Sequence, residues 1–133
     1  MFEAFLMAIS PTYLMYMTIG VLLGLVVGTL PGLTATMGTA LLVPFTFGLP
    51  TGEGIAMLGG LYVCAMFSDA IPACLVNTPG TPAAMATGFD GHPMVKQVSG
   101  QEAIVAAFFS SALGTIFGAV CYLLLAWPMV SVA

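Results

Sequence analysis

Charge is what this sequence has least of. Only 5% of its 133 residues are charged, with one Lys and no Arg against five acidic residues, while 60% are hydrophobic. A soluble domain of this size could not cover its surface with so few charges. The shortage of basic residues also excludes a nucleic-acid interface and a polybasic anchor for anionic lipid. The composition therefore indicates a protein that lies within the lipid bilayer.

Motifs that carry catalysis or bind metal are also missing. The three cysteines, Cys64, Cys74 and Cys121, lie in apolar stretches without a CxxC pair, which argues against both a disulfide framework and a zinc site. No GxSxG or HExxH motif is present, and the single His has no nucleophile as an obvious partner in the sequence. We therefore expect neither an enzyme nor a bound metal or organic cofactor.

Long apolar runs fill most of the chain and predict an all-α polytopic membrane protein. Spanning helices are expected at about 13–30, 55–76 and 103–127. Residues 35–49 and 83–87 are too short to cross about 30 Å of hydrocarbon and are expected to form two broken or re-entrant half-helices. We predict one transmembrane region over residues 1–133, with an interfacial lead-in at 1–12 and a polar loop at 89–102.

Glycines recur every four residues along the first predicted span. Gly20, Gly24, Gly28 and Gly32 would lie on one face of a helix, which allows a second helix to approach closely. Packing is the expected role of the first two. The last two lie close enough to the end of the span to serve a site as well.

Two Pro-Gly pairs interrupt the apolar sequence where a membrane helix should continue. Pro31-Gly32 and Pro79-Gly80 each break the helical hydrogen-bond ladder, because Pro has no N–H and Gly tolerates irregular backbone. At membrane depth, irregular backbone is tolerated only where it is buried in protein or lines a wet cavity. Paired breaks of this kind are typical of the binding site of a transporter.

Threonine-rich runs follow both breaks and can begin new helices. The first N–H groups of a helix lack internal partners and lie at the positive end of its dipole, so they can bind an anion without Arg or Lys. The alternative is that these are helix kinks whose hydroxyl groups bond their own backbone. The predicted substrate-binding residues are Pro31, Gly32, Thr34, Thr36, Thr78, Pro79, Gly80 and Thr81.

Oxygen-bearing groups near the second break could hold a coupling cation. Carbonyl groups of unwound backbone, with Asn77 and Thr78, suit a hard cation such as Na⁺. Asp69 lies inside an apolar run, and an intramembrane carboxylate could ligate Na⁺, carry a proton or repel a wrong substrate. The alternative is that Asp69 lies near a helix end and reaches water. Asn77, Thr78 and Asp69 are the predicted coupling-ion residues.

Four motifs in order resemble the TctA family, the large membrane subunit of the tripartite tricarboxylate transporters. They are GTLPGLTATMG at 28–38, LLVPFTFGLP at 41–50, NTPGTPA at 77–83 and DGHPM at 90–94. The likeness runs from about residue 20 to 118. Family members are several-fold longer, so the chain resembles their N-terminal part. Small neutral residues are expected in the family where Ser68-Asp69 stands, and Asp69 therefore bears on the substrate class or the coupling ion.

The resemblance implies ion-coupled uptake of small carboxylates, such as tricarboxylates, across the bacterial inner membrane. It also implies a periplasmic solute-binding receptor and a small membrane subunit as partners, with Na⁺ or H⁺ as the coupling ion and Pro31-Gly32 and Pro79-Gly80 in the substrate region. We expect this chain to be incomplete as a permease. The alternative function is a non-transporting membrane subunit whose glycine faces only pack against partners.

Overall fold

The computed structural model describes residues 9–132, with side chains described through residue 125, and every regular element in this range is a helix. The elements are α1 (Pro11–Thr29), α2 (Ala35–Thr46), α3 (Thr51–Ser68), α4 (Ala70–Val76), α5 (Pro82–Gln97) and α6 (Gly100–Val132). Three spans are long and apolar enough to cross a membrane: Pro11–Thr29, Thr51–Val76 and Gly100–Leu125. The predicted all-α polytopic fold is confirmed.

Helices α1 and α3 pack backbone against backbone. Gly20, Gly24 and Gly28 are all buried, and a Cβ atom added to any of them would collide with a carbonyl oxygen of α3. Those oxygens belong to Met57, Leu61 and Ala65 respectively. Because both series of residues advance together, the two helices run parallel. The predicted close approach along the glycine face is confirmed for these three residues. Gly32 does not take part in it, because a Cβ atom added there would have no neighbour within 4 Å.

Helix α2 is the short return between the two parallel spans. Its start lies beside the end of α1, where Gly38 contacts Val27, and its end lies beside the start of α3, where Thr46 contacts Gly54. Its 12 residues rise only about 18 Å, less than the thickness of the hydrocarbon core. The short half-helix predicted at 35–49 therefore follows from topology, because the parallel spans α1 and α3 require a connection that crosses back.

The second half of the chain doubles back beside the end of α3. Helix α4 continues α3 beyond Asp69, and residues 77–81 then return along α4, so that Thr81 hydrogen-bonds with Asp69. Helix α5 runs beside α4 in the same direction, and helix α6 returns antiparallel to α3, where Phe108 stacks on Phe67 with ring centroids 4.4 Å apart.

The predicted polar loop at 89–102 is wrong. Helix α5 continues to Gln97, and only Val98 and Ser99 separate it from α6. Ala84, Gly88 and Gly91 are buried at helical spacing against α4, and this small-residue face holds the polar sequence in a helix. The predicted lead-in at 1–12 lies mostly outside the described residues, and α1 begins at Pro11.

Helix α6 exposes most of its described length. Residues 109–120 are all exposed, and a Cβ atom added to Gly114 or Gly118 would meet nothing within 4 Å. The described part of the chain therefore leaves this apolar helix without a neighbour beyond its first turns.

The glycine contact predicts that Gly24→Ala weakens the fold. The added methyl group would press on the Leu61 carbonyl group, and overpacking of this kind costs about 1–3 kcal/mol. We expect a lower midpoint for unfolding by SDS in mixed micelles, followed by circular dichroism. Gly59→Ala is the matched control, since Gly59 lies on the exposed side of α3 with nothing within 4 Å. Equal midpoints for the two variants would contradict the packing assignment.

Candidate functional site

The first break is a tight turn between α1 and α2. The Leu33 N–H donates to the Leu30 carbonyl oxygen at 3.2 Å, and Gly32 has a φ of +87°. Pro at the second position and a positive-φ Gly at the third are the signature of a type II turn. Gly32 is therefore required by its backbone conformation, since the space around it is open.

The N-terminus of α2 opens directly after this turn. The Thr34 hydroxyl group caps the helix by accepting from the Met37 N–H at 3.1 Å, and it lies 2.8 Å from the Thr36 hydroxyl group. The N–H groups of Ala35 and Thr36 precede the first intrahelical bond and have no acceptor inside the helix. Thr36 is exposed, Thr34 is half-buried and Ala35 is buried, so the Thr36 N–H group is the unpaired donor that belongs to an exposed residue.

The second break begins with Asn77 rather than with its Pro-Gly pair. Asn77 ends α4 in the left-handed region at φ 55°, and the Thr78 N–H donates to the Pro72 carbonyl oxygen at 3.4 Å. Asn tolerates this conformation better than most residues, and the pairing resembles a Schellman cap. The chain then leaves α4 and returns beside it.

Asp69 receives the returning segment. Its carboxylate accepts three hydrogen bonds: Gly80 N–H at 2.8 Å, Thr81 N–H at 2.8 Å and Thr81 hydroxyl at 2.6 Å. Asp69 is 1% exposed and Thr81 is 8% exposed. Thr81 also caps α5, because its hydroxyl oxygen accepts from the Ala84 N–H at 3.3 Å. The positive end of α5 is thus already occupied by a carboxylate of the chain itself.

The two breaks touch each other at Gly80. A Cβ atom there would collide with the Leu33 carbonyl oxygen and would lie 3.1 Å from Asp69 Oδ1. Gly80 has no positive φ, so it is needed for space, whereas Gly32 is needed for conformation. Two breaks that are 48 residues apart in the sequence therefore form one structural unit.

The predicted site residues differ widely in how far they are buried. Asp69, Gly80 and Thr81 meet in the interior, whereas Pro31, Gly32 and Thr36 are exposed. Asn77 and Thr78 are also exposed, and eight helical residues place Asn77 about 12 Å from Asp69 along α4. The three predicted coupling-ion residues thus do not converge on one point. Pro79 and Thr34 lie between these extremes and are half-buried.

Two buried contacts near the site were not predicted. The buried Ser68 hydroxyl group donates to the Cys64 carbonyl oxygen at 2.8 Å and lies 3.4 Å from that of Gly24, which ties α3 to α1. His92 Nδ1 lies 3.0 Å from the Cys74 carbonyl oxygen. The helical spacing of Ala84, Gly88 and Gly91 could have placed His92 on a packed helix, but nothing local marks Ser68.

Two grooves of the described chain lie away from both breaks. One of about 380 Å³ lies between α1 and α3 and is lined by Met17, Val21 and Phe67 among others. Another of about 440 Å³ lies between α3 and α6 and includes Tyr62 and Ser111. The N–H groups of Ala35 and Thr36 do not lie in these grooves.

Comparison with known proteins gives one family. The model of the tripartite tricarboxylate transporter TctA family matches residues 14–133. A 52.8 kDa uncharacterised protein of Agrobacterium vitis, described as lying in the TAR-I ttuC' 3' region, is 37% identical over 130 residues, which cover 95% of this chain and 25% of the relative. An uncharacterised protein of Methanocaldococcus jannaschii is 32% identical over 107 residues, which cover 78% of this chain and 26% of the relative.

The chain thus spans about a quarter of the length of both relatives. No solved structure is significantly similar to it. The family match covers both Pro-Gly breaks and all the helices from the first turn of α1 onward. The resemblance inferred from the four sequence motifs is confirmed: this multi-pass membrane protein belongs to the tripartite tricarboxylate transporter TctA family.

Proposed function

We propose that this chain forms part of a carboxylate permease and that the N-terminus of α2 binds one carboxylate group of the substrate. Family membership supports transport of small carboxylates such as tricarboxylates. The observation that carries the proposal is the helix start at Thr34–Thr36, where the N–H groups of the buried Ala35 and the exposed Thr36 lack intrahelical acceptors.

The composition of this chain favours a site built from backbone and hydroxyl groups. The chain has no Arg, and its one Lys, Lys96, lies in the last turn of α5. Thr81 begins that helix, and 15 residues of helix place Lys96 about 22 Å from it. An anion in the substrate region would therefore be held by N–H groups, hydroxyl groups and the helix dipole. The Ala35 and Thr36 N–H groups and the hydroxyl groups of Thr34 and Thr36 supply that set.

Ion coupling belongs to the same proposal. Na⁺ or H⁺ is the expected coupling ion, and the oxygens of the exposed Asn77 and Thr78 are the proposed ligands for Na⁺. Asp69 is also proposed as a coupling-ion residue. An ion or proton bound by its carboxylate would compete with the three hydrogen bonds that this carboxylate accepts.

The remaining walls of the site would come from other protein. The α2 start is exposed, and the chain spans about a quarter of its relatives. We propose that further permease segments enclose it in the bacterial inner membrane, with a periplasmic solute-binding receptor and a small membrane subunit as partners. The unpartnered face of α6, with Gly114 and Gly118, favours one alternative: a membrane subunit that assembles but does not transport.

Citrate titration tests the carboxylate site. We expect citrate to shift the amide resonances of Ala35 and Thr36 in a saturable manner when the ¹⁵N-labelled chain is studied in nanodiscs. NMR detects even the weak binding expected of an incompletely enclosed site. Thr36→Val removes one hydroxyl donor to a charged group and should weaken binding by about tenfold, whereas Thr36→Ser should bind normally.

Thr115→Val is the matched control, since the Thr115 hydroxyl group bonds the Ser111 carbonyl oxygen on the exposed face of α6. Glucose serves as the uncharged control ligand. The absence of any saturable shift at Ala35 and Thr36, with and without Na⁺, would contradict the carboxylate site and favour the assembly function.

The turn at Gly32 makes a separate prediction. Gly32→Val should disturb the start of α2 and weaken citrate binding, because a β-branched residue is strained at a φ of +87°. Gly32→Asn should retain most of the binding, since Asn tolerates positive φ and the space is open. Equal citrate affinities for the two variants would show that the turn conformation does not shape the site.

A further inference from the structure

Asp69 lies at the second of the two helix starts that were predicted to bind substrate. Its two carboxylate oxygens bond the N–H groups of Gly80 and Thr81 at 2.8 Å and the Thr81 hydroxyl group at 2.6 Å. These donors lie at the N-cap of α5 and at the residue before it, whereas the free donors of α2 lie in its first turn. The start of α5 thus holds a carboxylate of the chain itself, and the start of α2 holds none.

No basic side chain neutralises this buried acid. The described chain forms its partner set from backbone and hydroxyl groups, and Lys96 lies at the far end of α5. A buried carboxylate is costly unless hydrogen-bonded, and three donors with the helix dipole provide that compensation. None of the buried side-chain oxygen or nitrogen atoms that the structure describes lacks a hydrogen-bond partner. The Asp69 carboxylate and the three donors around it are thus paired with one another.

The same bonds fix how the two breaks meet. Gly80, held by Asp69 Oδ1, packs directly on the Leu33 carbonyl group, which immediately precedes Thr34, the cap of α2. Asp69 lies 11 residues before Gly80 in the chain, and its bond to Gly80 sets the position of the second break against the first.

We propose that Asp69 is a positioning residue that serves as a built-in carboxylate. It occupies the anion-binding start of α5 and anchors the second break against the first. The start of α2 is then the helix start that binds a substrate carboxylate, an assignment that rests on the proposed function.

Chemical rescue with acetate tests the proposal. In Asp69→Gly the donors of Gly80 and Thr81 lose their acceptor, and acetate is the nearest small substitute for the missing side chain. We expect their amide hydrogens to exchange about 10- to 100-fold faster in the variant, and acetate to restore protection and shift both resonances. In the wild-type chain, acetate should leave both amides unchanged.

A matched control and a milder variant accompany this test. Glu53→Gln removes one acidic charge in the first turn of α3 and should leave exchange at Gly80 and Thr81 unchanged. Thr81→Val removes the hydroxyl bonds to Asp69 and to the Ala84 N–H but keeps the Thr81 N–H, and it should speed exchange at Gly80 to a smaller extent, with Thr81→Ser restoring it. These variants keep the proposal testable if Asp69→Gly fails to fold.

The outcomes separate this inference from the proposed function. Unchanged exchange in both Asp69→Gly and Thr81→Val, or an acetate response at Gly80 in the wild-type chain, would overturn the role of Asp69. Rescue by acetate without any citrate response at Ala35 and Thr36 would support the built-in carboxylate and overturn its link to substrate. Citrate shifting Gly80 and Thr81 in Asp69→Gly alone would likewise support the built-in carboxylate, whereas the proposed function is judged by the citrate response at Ala35 and Thr36.

Discussion

Backbone N–H groups released at two helix breaks must find acceptors in a chain that carries almost no charge. Lipid offers no hydrogen bonds, so each unsatisfied group would cost several kcal/mol, of the order given for polar burial. At the second break the carboxylate of Asp69 meets this demand through three bonds. At the first break a turn and the Thr34 cap meet part of it, and the N–H groups of Ala35 and Thr36 keep no acceptor within the described chain.

The helices are arranged so that the two breaks can meet. Gly20, Gly24 and Gly28 let α1 run parallel to α3 at backbone contact, which places the end of α1 beside Ser68 at the end of α3. Because α1 leads into the first break and α3 leads into Asp69, this packing brings both breaks to one level of the bundle. A bulkier residue on that glycine face would separate them.

The two Pro-Gly pairs look alike in sequence and differ in physical role. Gly32 adopts a positive φ in an open turn, whereas Gly80 has ordinary backbone and is confined by the Leu33 carbonyl group and Asp69. The left-handed residue of the second break is Asn77 instead. The first break is thus shaped by local conformation and the second by tertiary contact. This difference agrees with a structure in which Asp69 bonds the start of α5 and no carboxylate of the chain bonds the start of α2.

The sequence by itself determined that the chain lies in lipid, that it is helical, that glycine packs α1 closely and that helices break at two Pro-Gly pairs. These properties follow from composition and from local periodicity, which a single segment carries. The motifs also identified the family. The polar segment after residue 88 was misassigned because its charges outweighed the small-residue spacing of Ala84, Gly88 and Gly91. Only the tertiary structure decided which helix start is free, because the acceptor for Gly80 and Thr81 lies on another helix. The bonds from Gly80 and Thr81 to Asp69 form only after the chain doubles back along α4, so they depend on the tertiary fold and not on local sequence.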